Sequence, residues 1–236
     1  MSNLMPESAE VLSTGITGLD RMLRGGIPRG HVVAVIGSYG TGKTTLGLHF
    51  IYEGLKNGEK CIVMSFDEDE DSIIQSARSL GMNLEQFSDR VQIIRLEAEE
   101  VRNSLTRIES DLFEIISSFN TSRILIDTIS VLETLFDESG RYKMLAIIRT
   151  ILKSAGVTAI ITSESDKYNP NYSKYGLLEY ICDGLICLRM IRTKEMDEPT
   201  MGLEVVKMRR VNHPRTPRPY TITDRGISVF EDAEIF

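Results

Sequence analysis

A glycine-rich stretch at residues 37–44 has the residue types needed to hold a chain of phosphates. Its sequence, GSYGTGKT, fits the pattern G-x-x-x-x-G-K-[ST] at every fixed position. Glycines let consecutive backbone N–H groups curve around phosphate oxygens, and a helix that starts there adds partial positive charge. Lys43 would reach the β- and γ-phosphates, and the Thr44 hydroxyl would face Mg²⁺. The stretch therefore predicts a binding site for ATP and Mg²⁺.

The nucleotide-binding set follows from this pattern. We expect it to contain Ser38, Tyr39, Gly40, Thr41, Gly42, Lys43, Thr44 and Thr45. Lys43 also has a catalytic role in this hypothesis, because its charge faces the transferred phosphate. The alternative is a glycine-rich turn that binds nothing, but the flanking strand and helix patterns favour the phosphate site.

Two further carboxylate positions could complete a hydrolytic site. Asp127 ends the apolar run RILID, and we place that strand beside the phosphate-loop strand, where the carboxylate would hold the Mg²⁺ shell. Asp67 and Glu68 follow the apolar run KCIVMSF on a neighbouring strand and could orient a water towards the γ-phosphate. The next three acids, residues 69–71, are better explained as first-turn residues that complement a helix dipole. In the alternative interpretation, Asp127 only caps its loop and all five acids are solvated or capping.

The surrounding pattern predicts an α/β fold that would position these residues. Apolar runs at 31–36, 60–66, 91–96, 123–127 and 157–162 read as strands of a mostly parallel sheet. Helical patterns would flank the sheet at 43–56, 101–119 and 141–154. A further helix would follow the acidic loop 67–71 and end near residue 81. Short runs at 184–192, 202–209, 220–223 and 226–230 predict a C-terminal antiparallel extension. We expect residues 1–10 to be a flexible tail and 11–236 a single domain.

Composition limits the remaining classes of function. The net charge of −7 argues against general electrostatic binding of nucleic acid. We find neither an apolar run long enough for a membrane span nor a signal-peptide pattern at the N-terminus, and we expect a cytoplasmic protein. The three cysteines have no metal or disulfide spacing, so we interpret them as buried thiols, and we expect no zinc site.

The chain also resembles a known family along nearly its whole length. Residues 13–30, STGITGLDRMLRGGIPRG, followed by the phosphate loop, are similar to the opening of KaiC-like ATPases within the RecA superfamily. The likeness continues through FDED (66–69), RILIDTIS (123–130), GVTAIITSES (156–165), CDGLICLR (182–189) and EVVKMRR (204–210). The single-domain members of archaeal type are the nearer likeness.

The resemblance implies a RecA-like core and a ring, usually a hexamer, with ATP between neighbouring subunits. Asp67 and Glu68 match the family's glutamate pair, and we favour Glu68 as the base because Asp67 is one methylene shorter. Lys207 and Arg209 match a Lys-x-Arg that reaches the adjacent subunit's ATP in the family. The family commonly has glycine where this chain has Arg210. Without the resemblance, these cations are equally compatible with a solvated edge strand.

Three functions remain open at this stage. The leading hypothesis is a slow, ring-forming ATPase that binds ATP and ADP. A second is an ATP-dependent recombinase paralogue that binds single-stranded nucleic acid, through a tyrosine-containing loop at 163–175 and a basic cluster of Lys207, Arg209, Arg210, His213, Arg215 and Arg218. A third is a non-hydrolysing, ATP-sensing scaffold of the kind found at the archaellum motor base. Nucleic acid is not favoured, and the sequence does not name a protein partner.

Overall fold

The computed structural model describes residues 10–103, 105–191 and 199–235, of which 105–109 are described by their backbone. Most of the predicted tail at 1–10 and the last residue of the predicted strand 184–192 therefore lie outside the described residues.

A nine-stranded sheet forms the centre of the fold, with a small two-stranded sheet beside it. The small sheet pairs β1 (Val11–Leu12) with β2 (Ile27–Pro28). The strands of the large sheet are β3 (Val32–Gly37), β4 (Cys61–Ser65), β5 (Val91–Arg95), β6 (Arg123–Asp127), β7 (Thr158–Glu164), β8 (Gly184–Ile191), β9 (Thr200–Met208), β10 (Arg218–Thr223) and β11 (Gly226–Val229). Their spatial order is β11-β10-β9-β8-β3-β7-β6-β4-β5.

Helices cover both faces of this sheet. They are α1 (Thr17–Met22), α2 (Lys43–Lys56), α3 (Glu70–Ser79), α4 (Ala98–Asn103), α5 (Leu105–Ser118), α6 (Ile129–Glu133), α7 (Glu138–Ser154) and α8 (Leu178–Ile181). One apolar cluster packs under α2 and the C-terminal strands, and a second packs under α5 and α7. Every residue of β3 is buried, as expected for a strand covered on both faces.

The sheet changes direction at β8. Strands β4, β5, β6, β7, β3 and β8 pair in parallel, whereas β9, β10 and β11 pair antiparallel. The predicted α/β class, with a parallel centre and an antiparallel C-terminal extension, is therefore confirmed. All six parallel strands place their carboxyl ends at one edge, which we call the carboxyl edge; the opposite edge is the amino edge. Ligands of open α/β sheets bind at the carboxyl edge.

The strand order corrects one detail of the sequence prediction. The strand that ends at Asp127 and the strand that precedes Glu68 were expected beside the phosphate-loop strand. Instead, β7 lies between β3 and β6, and β4 lies beyond β6. Crossovers that skip a position leave no trace in the local pattern, because each strand is equally apolar wherever it is inserted.

Helix boundaries also differ from the prediction in places. Helix α7 begins at Glu138, before the predicted residue 141, because Asp137 caps it by accepting the Gly140 N–H at 2.7 Å. Short elements such as α1, α6 and α8 were not predicted, since a single turn has too few residues for a periodic pattern. All three cysteines are free and buried, as expected.

Candidate active site

The phosphate loop connects the centre of the sheet to a long helix at the carboxyl edge. Strand β3 ends at Gly37, and α2 begins at Lys43. Gly40 and Gly42 have φ values of +74° and +83°, a region that favours glycine. A Cβ at Gly37 would lie 2.6 Å from the carbonyl oxygen of Leu188, so this position also requires glycine. The loop conformation therefore depends on the glycines that the motif supplies.

Two side chains close the loop on itself. The Thr41 hydroxyl and the Lys43 ammonium both donate to the carbonyl oxygen of Ser38, at 2.7 Å and 2.9 Å. The N-cap of α2 is Gly42, which has no side chain to satisfy the first N–H groups, so these groups suit an anion. Burial lowers the pKa of Lys43, and the carboxylates of Asp127 and Glu164 oppose that shift. The loop thus combines N–H donors with one half-buried cation.

Asp127 meets the phosphate loop through two threonines. Its Oδ2 accepts from the Thr44 hydroxyl at 2.8 Å, and its Oδ1 accepts from the Thr162 hydroxyl on the intervening strand β7. Burial raises the pKa of Asp127, while the two hydroxyls and Lys43 act in the opposite direction. Thr162 was not among the predicted site residues, although its place at the end of the apolar run VTAIIT could have suggested it.

These oxygens fit the metal that the motif implies. Mg²⁺ prefers hard oxygen ligands and usually takes one or two from the protein. The Thr44 hydroxyl and the Asp127 carboxylate lie together on the loop side of the sheet, so both would serve such an ion beside bound phosphates.

The second acidic position lies on the loop after β4. The backbone N–H groups of Asp67 and Glu68 both donate to the Ser65 hydroxyl, at 3.2 Å and 2.8 Å, which folds the loop back over the strand end. Glu68 Oε2 is buried and has no hydrogen-bond partner among the described residues. Burial raises the pKa of Glu68, and the nearby carboxylates of Asp127, Asp67 and Asp69 add to the increase. Asp67 is exposed.

The remaining acids of this loop serve the helix that follows. Asp69 caps α3 by accepting the Ser72 N–H at 2.9 Å, and Glu70 and Asp71 occupy the first turn. Hydrogen bonding by the Ser72 side chain, and then by its backbone N–H, lowers the pKa of Asp69. Glu70 and Asp71 are therefore first-turn acids, as predicted, whereas Asp69 lies one residue earlier as the N-cap, and Glu68 differs from all three by its buried oxygen.

The C-terminal hairpin braces the phosphate loop from outside. The buried Tyr220 hydroxyl donates to the carbonyl oxygen of Thr41 at 2.6 Å. On the same strand, the Ile222 side chain packs closely against the loop, and a Cβ added to Gly42 would lie 2.6 Å from it. Sequence reasoning missed Tyr220, because 179 residues separate it from its partner.

Of the other predicted residues, Tyr39 is 88% exposed and Thr45 is half-buried in the first turn of α2.

Lys207 and Arg209 lie at the amino edge, away from the phosphate loop of the same chain. Met208 between them pairs with Gly184, and Gly184 pairs with Val33 near the start of β3. The Lys207 ammonium donates to the carbonyl oxygens of Glu179 and Cys182, at 2.9 Å and 2.7 Å. Arg209 donates to Asp183 at 3.3 Å. The sheet therefore separates these cations from Lys43 and Glu68 by roughly 13 Å or more along the strands.

The tyrosine-containing loop follows β7 at the carboxyl edge. A bridge between Ser165 and Ser173 closes it, and Tyr168 at its tip is 90% exposed. Tyr175 instead packs against Arg141, whose guanidinium carbon lies 3.8 Å from the ring centroid. Lys207 and Arg209 lie at the other edge, so the structure separates these two members of the predicted basic cluster from the loop, whereas Arg218 pairs with Leu203 on the carboxyl side of the sheet.

The fold and this site define a P-loop nucleotide-binding domain with RecA-like topology. A family model described as "ATPase: KaiC" matches residues 12–234. The chain belongs to the KaiC family of ATPase domains. Its backbone is similar to the crystal structure of a KaiC-like protein from the archaeon Pyrococcus horikoshii OT3, with a TM-score of 0.82 and 27% identity over 94% of this chain and 99% of that one.

Curated relatives include clock proteins from cyanobacteria. The chain is 35% identical to the circadian clock protein KaiC2 of Synechocystis sp. and 32% identical to the circadian clock oscillator protein KaiC of Parathermosynechococcus lividus, in each case over 228 residues and 92% of its length. These matches cover 39% and 42% of the two relatives, so the chain spans about two fifths of their length. Within the described ranges, no helix has the length and apolarity needed to cross a bilayer.

Proposed function

We propose that this chain binds Mg²⁺ and ATP and hydrolyses ATP slowly. The observation that carries the proposal is the contact between Thr44 and Asp127, which joins the phosphate loop to a half-buried carboxylate. The loop N–H groups and Lys43 would hold the phosphates, and Thr44 and Asp127 would hold the ion. When bound, Mg²⁺ supplies charge neutralisation between the β- and γ-phosphates.

Glu68 is the residue we assign as the base. Its buried Oε2 has no hydrogen-bond partner within the described part of the chain, so its capacity to accept a proton is not used by another contact. A carboxylate with a raised pKa is a better proton acceptor near neutral pH than an ordinary one. Asp67 is the second candidate, but it is exposed and has a shorter side chain.

We further propose that the complete site forms between two copies of the chain. The carboxyl edge holds the acidic loop and the phosphate loop, whereas the amino edge presents Lys207 and Arg209. Complementary surfaces at opposite edges favour head-to-tail association, which closes into a ring when the rotation allows it. In a ring, Lys207 and Arg209 would face the neighbour's nucleotide and stabilise the charge of its transition state. A hexamer is the ring size expected from the family resemblance.

The first experiment combines a phosphate-release assay with light scattering, with and without Mg-ATP. We expect nucleotide-dependent assembly and slow release, with loss of ATP binding in Lys43→Ala and loss of turnover but retained binding in Glu68→Gln. Unchanged turnover in Glu68→Gln would reject the base assignment. Tight binding and assembly without any phosphate release would instead select a non-hydrolysing scaffold.

A mixing experiment tests the shared site. Arg209→Ala and Glu68→Gln subunits should each be inactive alone, because each lacks one half of the site. In an equal mixture, about a quarter of the interfaces in a randomly assembled ring would combine two intact halves, so activity should partly return. A mixture as inactive as its components would argue against a contribution of Arg209 across subunits.

A further inference from the structure

An apolar cavity of about 230 Å³ lies between the sheet and the helices that cover its second face. Strands contribute Met64, Ile94 and Ile126, and helices contribute Leu112, Leu132 and Ile148. The cavity is separate from the phosphate loop. Helix α2, which follows that loop, packs on one face of the sheet, and the side chains that line the cavity lie on the other face.

The solvent-exposed side of the described cavity lining lies on α5, and we call this side the entrance. Asp111 and Ile115 both line the cavity, and both are exposed to solvent, whereas Leu112 between them is buried. Asp111 is the one charged residue among the described lining residues. A small molecule that enters on this side would pass Asp111 and then meet the apolar side chains of the other described lining residues.

The size of this space indicates what it would accept. Protein interiors are close-packed, and voids larger than a water molecule are few. An apolar cavity of about 150 Å³ stays dry and binds benzene, because dispersion contacts favour an apolar guest over water. The cavity here is half as large again, which suits a bicyclic aromatic ring or a short alkyl chain.

We propose that this cavity is a binding site for a small uncharged apolar molecule, of about the size of a bicyclic aromatic compound. An anionic head group is disfavoured, because it would lose its hydration among the apolar side chains of the lining. Binding of this kind needs no nucleotide, so the inference stands independently of the proposed ATPase function.

The cavity adjoins the acidic loop through Phe66. This side chain lines the cavity, and its backbone N–H donates to the carbonyl oxygen of Asp127 at 2.9 Å. The next two residues are Asp67 and Glu68, whose N–H groups both rest on the Ser65 hydroxyl. A guest that moves Phe66 would therefore move the candidate base. This regulatory consequence, unlike the binding itself, rests on the proposed function.

The test uses indole as the probe, with 5-fluoroindole observed by ¹⁹F NMR in the absence of nucleotide. We expect saturable binding to the unmodified chain, and binding at least tenfold weaker in Ile147→Phe, which adds volume to the lining. Ile115→Phe, at the exposed entrance, is a second blocking variant that does not depend on core repacking. Val11→Phe adds the same ring to an exposed residue of β1 and should bind like the unmodified chain.

Three outcomes would overturn the proposal. In the first, the unmodified chain shows no saturable indole binding, and in the second, both blocking variants bind indole as tightly as the unmodified chain does. In the third, the anion octanoate binds the unmodified chain as tightly as the uncharged 1-octanol. The regulatory part is measured separately, as phosphate release with and without indole. An indole effect that persists in both blocking variants would overturn it, whereas absent ATPase activity with intact indole binding would count against the proposed function alone.

Discussion

The Tyr220 hydroxyl donates a hydrogen bond of 2.6 Å to the carbonyl oxygen of Thr41, at the centre of the phosphate loop. Tyr220 belongs to the antiparallel extension, which thereby supports a site built on the parallel part of the sheet. A second contact has the same effect, because His49 on α2 accepts the N–H of Ile227 at 2.9 Å. The extension is therefore a structural part of the candidate nucleotide site.

Tyr220→Phe should weaken ATP binding by about three- to tenfold, the range expected for loss of one buried hydrogen bond. The phenyl ring preserves the packing, so the free energy of unfolding should change less than the free energy of ATP binding. Titration with a fluorescent ATP analogue measures the effect. Tyr52→Phe is the matched control, since the Tyr52 hydroxyl only accepts from Gln86 at the surface. Equal affinities in both variants would contradict a role for Tyr220 in positioning the loop.

Asp127→Asn should remove most of the Mg²⁺ dependence of ATP binding. The amide oxygen can still accept from one of the two threonine hydroxyls, and the NH₂ group can donate to the other, but the amide lacks the charge that attracts a divalent ion. We expect roughly tenfold or greater weakening in Mg²⁺ and little change in EDTA, measured by titration calorimetry. Asp69→Asn, which retains its capping function at the start of α3, should behave like the unmodified chain. A Mg²⁺ effect that survives in Asp127→Asn would reject the assignment.

Asp67→Asn should shift the pH dependence of ATP turnover. Burial, and then the carboxylates of Asp127 and Asp67, raise the pKa of Glu68. A base acts in its ionised form, so turnover should fall with decreasing pH at a value above the ordinary glutamate pKa. Removing the charge of Asp67 should move this acidic limb to lower pH without abolishing activity. Phosphate release between pH 4.5 and 8.5 tests this, and an inactive Asp67→Asn would indicate that Asp67 is the base.

Glu133→Gln should stabilise the fold at alkaline pH. The Glu133 side chain is fully buried, and neither carboxylate oxygen has a partner among the described residues. Burial raises its pKa to about 7, although Arg141 and Lys174 oppose the shift. The neutral form is therefore favoured in the folded state, and the stability it contributes is present at low pH and lost as pH rises through about 7.

Glutamine stays neutral throughout, so the free energy of unfolding of Glu133→Gln should exceed that of the unmodified chain by up to about 3 kcal/mol at pH 8 and by little at pH 4.5. Urea unfolding at both pH values measures the difference. Glu138→Gln, at an exposed position on α7, should show no such pH-dependent gain. A gain of equal size at both pH values would show that the titration of Glu133 is not its cause.

Local sequence predicted the parts of this protein whose physics is local. The phosphate loop is one continuous stretch in which glycine spacing, Lys43 and Thr44 specify both the conformation and the ligand chemistry. The buried strands were also predictable from the sequence, because a strand covered on both faces must be apolar throughout. The first-turn acids Glu70 and Asp71 followed from their place at the start of a helical pattern.

Tertiary structure decided what depends on strand order and on distant contacts. It inserted β7 between β3 and β6, and so brought Thr162 to Asp127. It also placed Tyr220 on the phosphate loop and moved Lys207 and Arg209 to the opposite edge. No local pattern encodes these relationships, since an apolar strand packs equally well at several positions in a sheet. The order is selected by the packing of the whole chain.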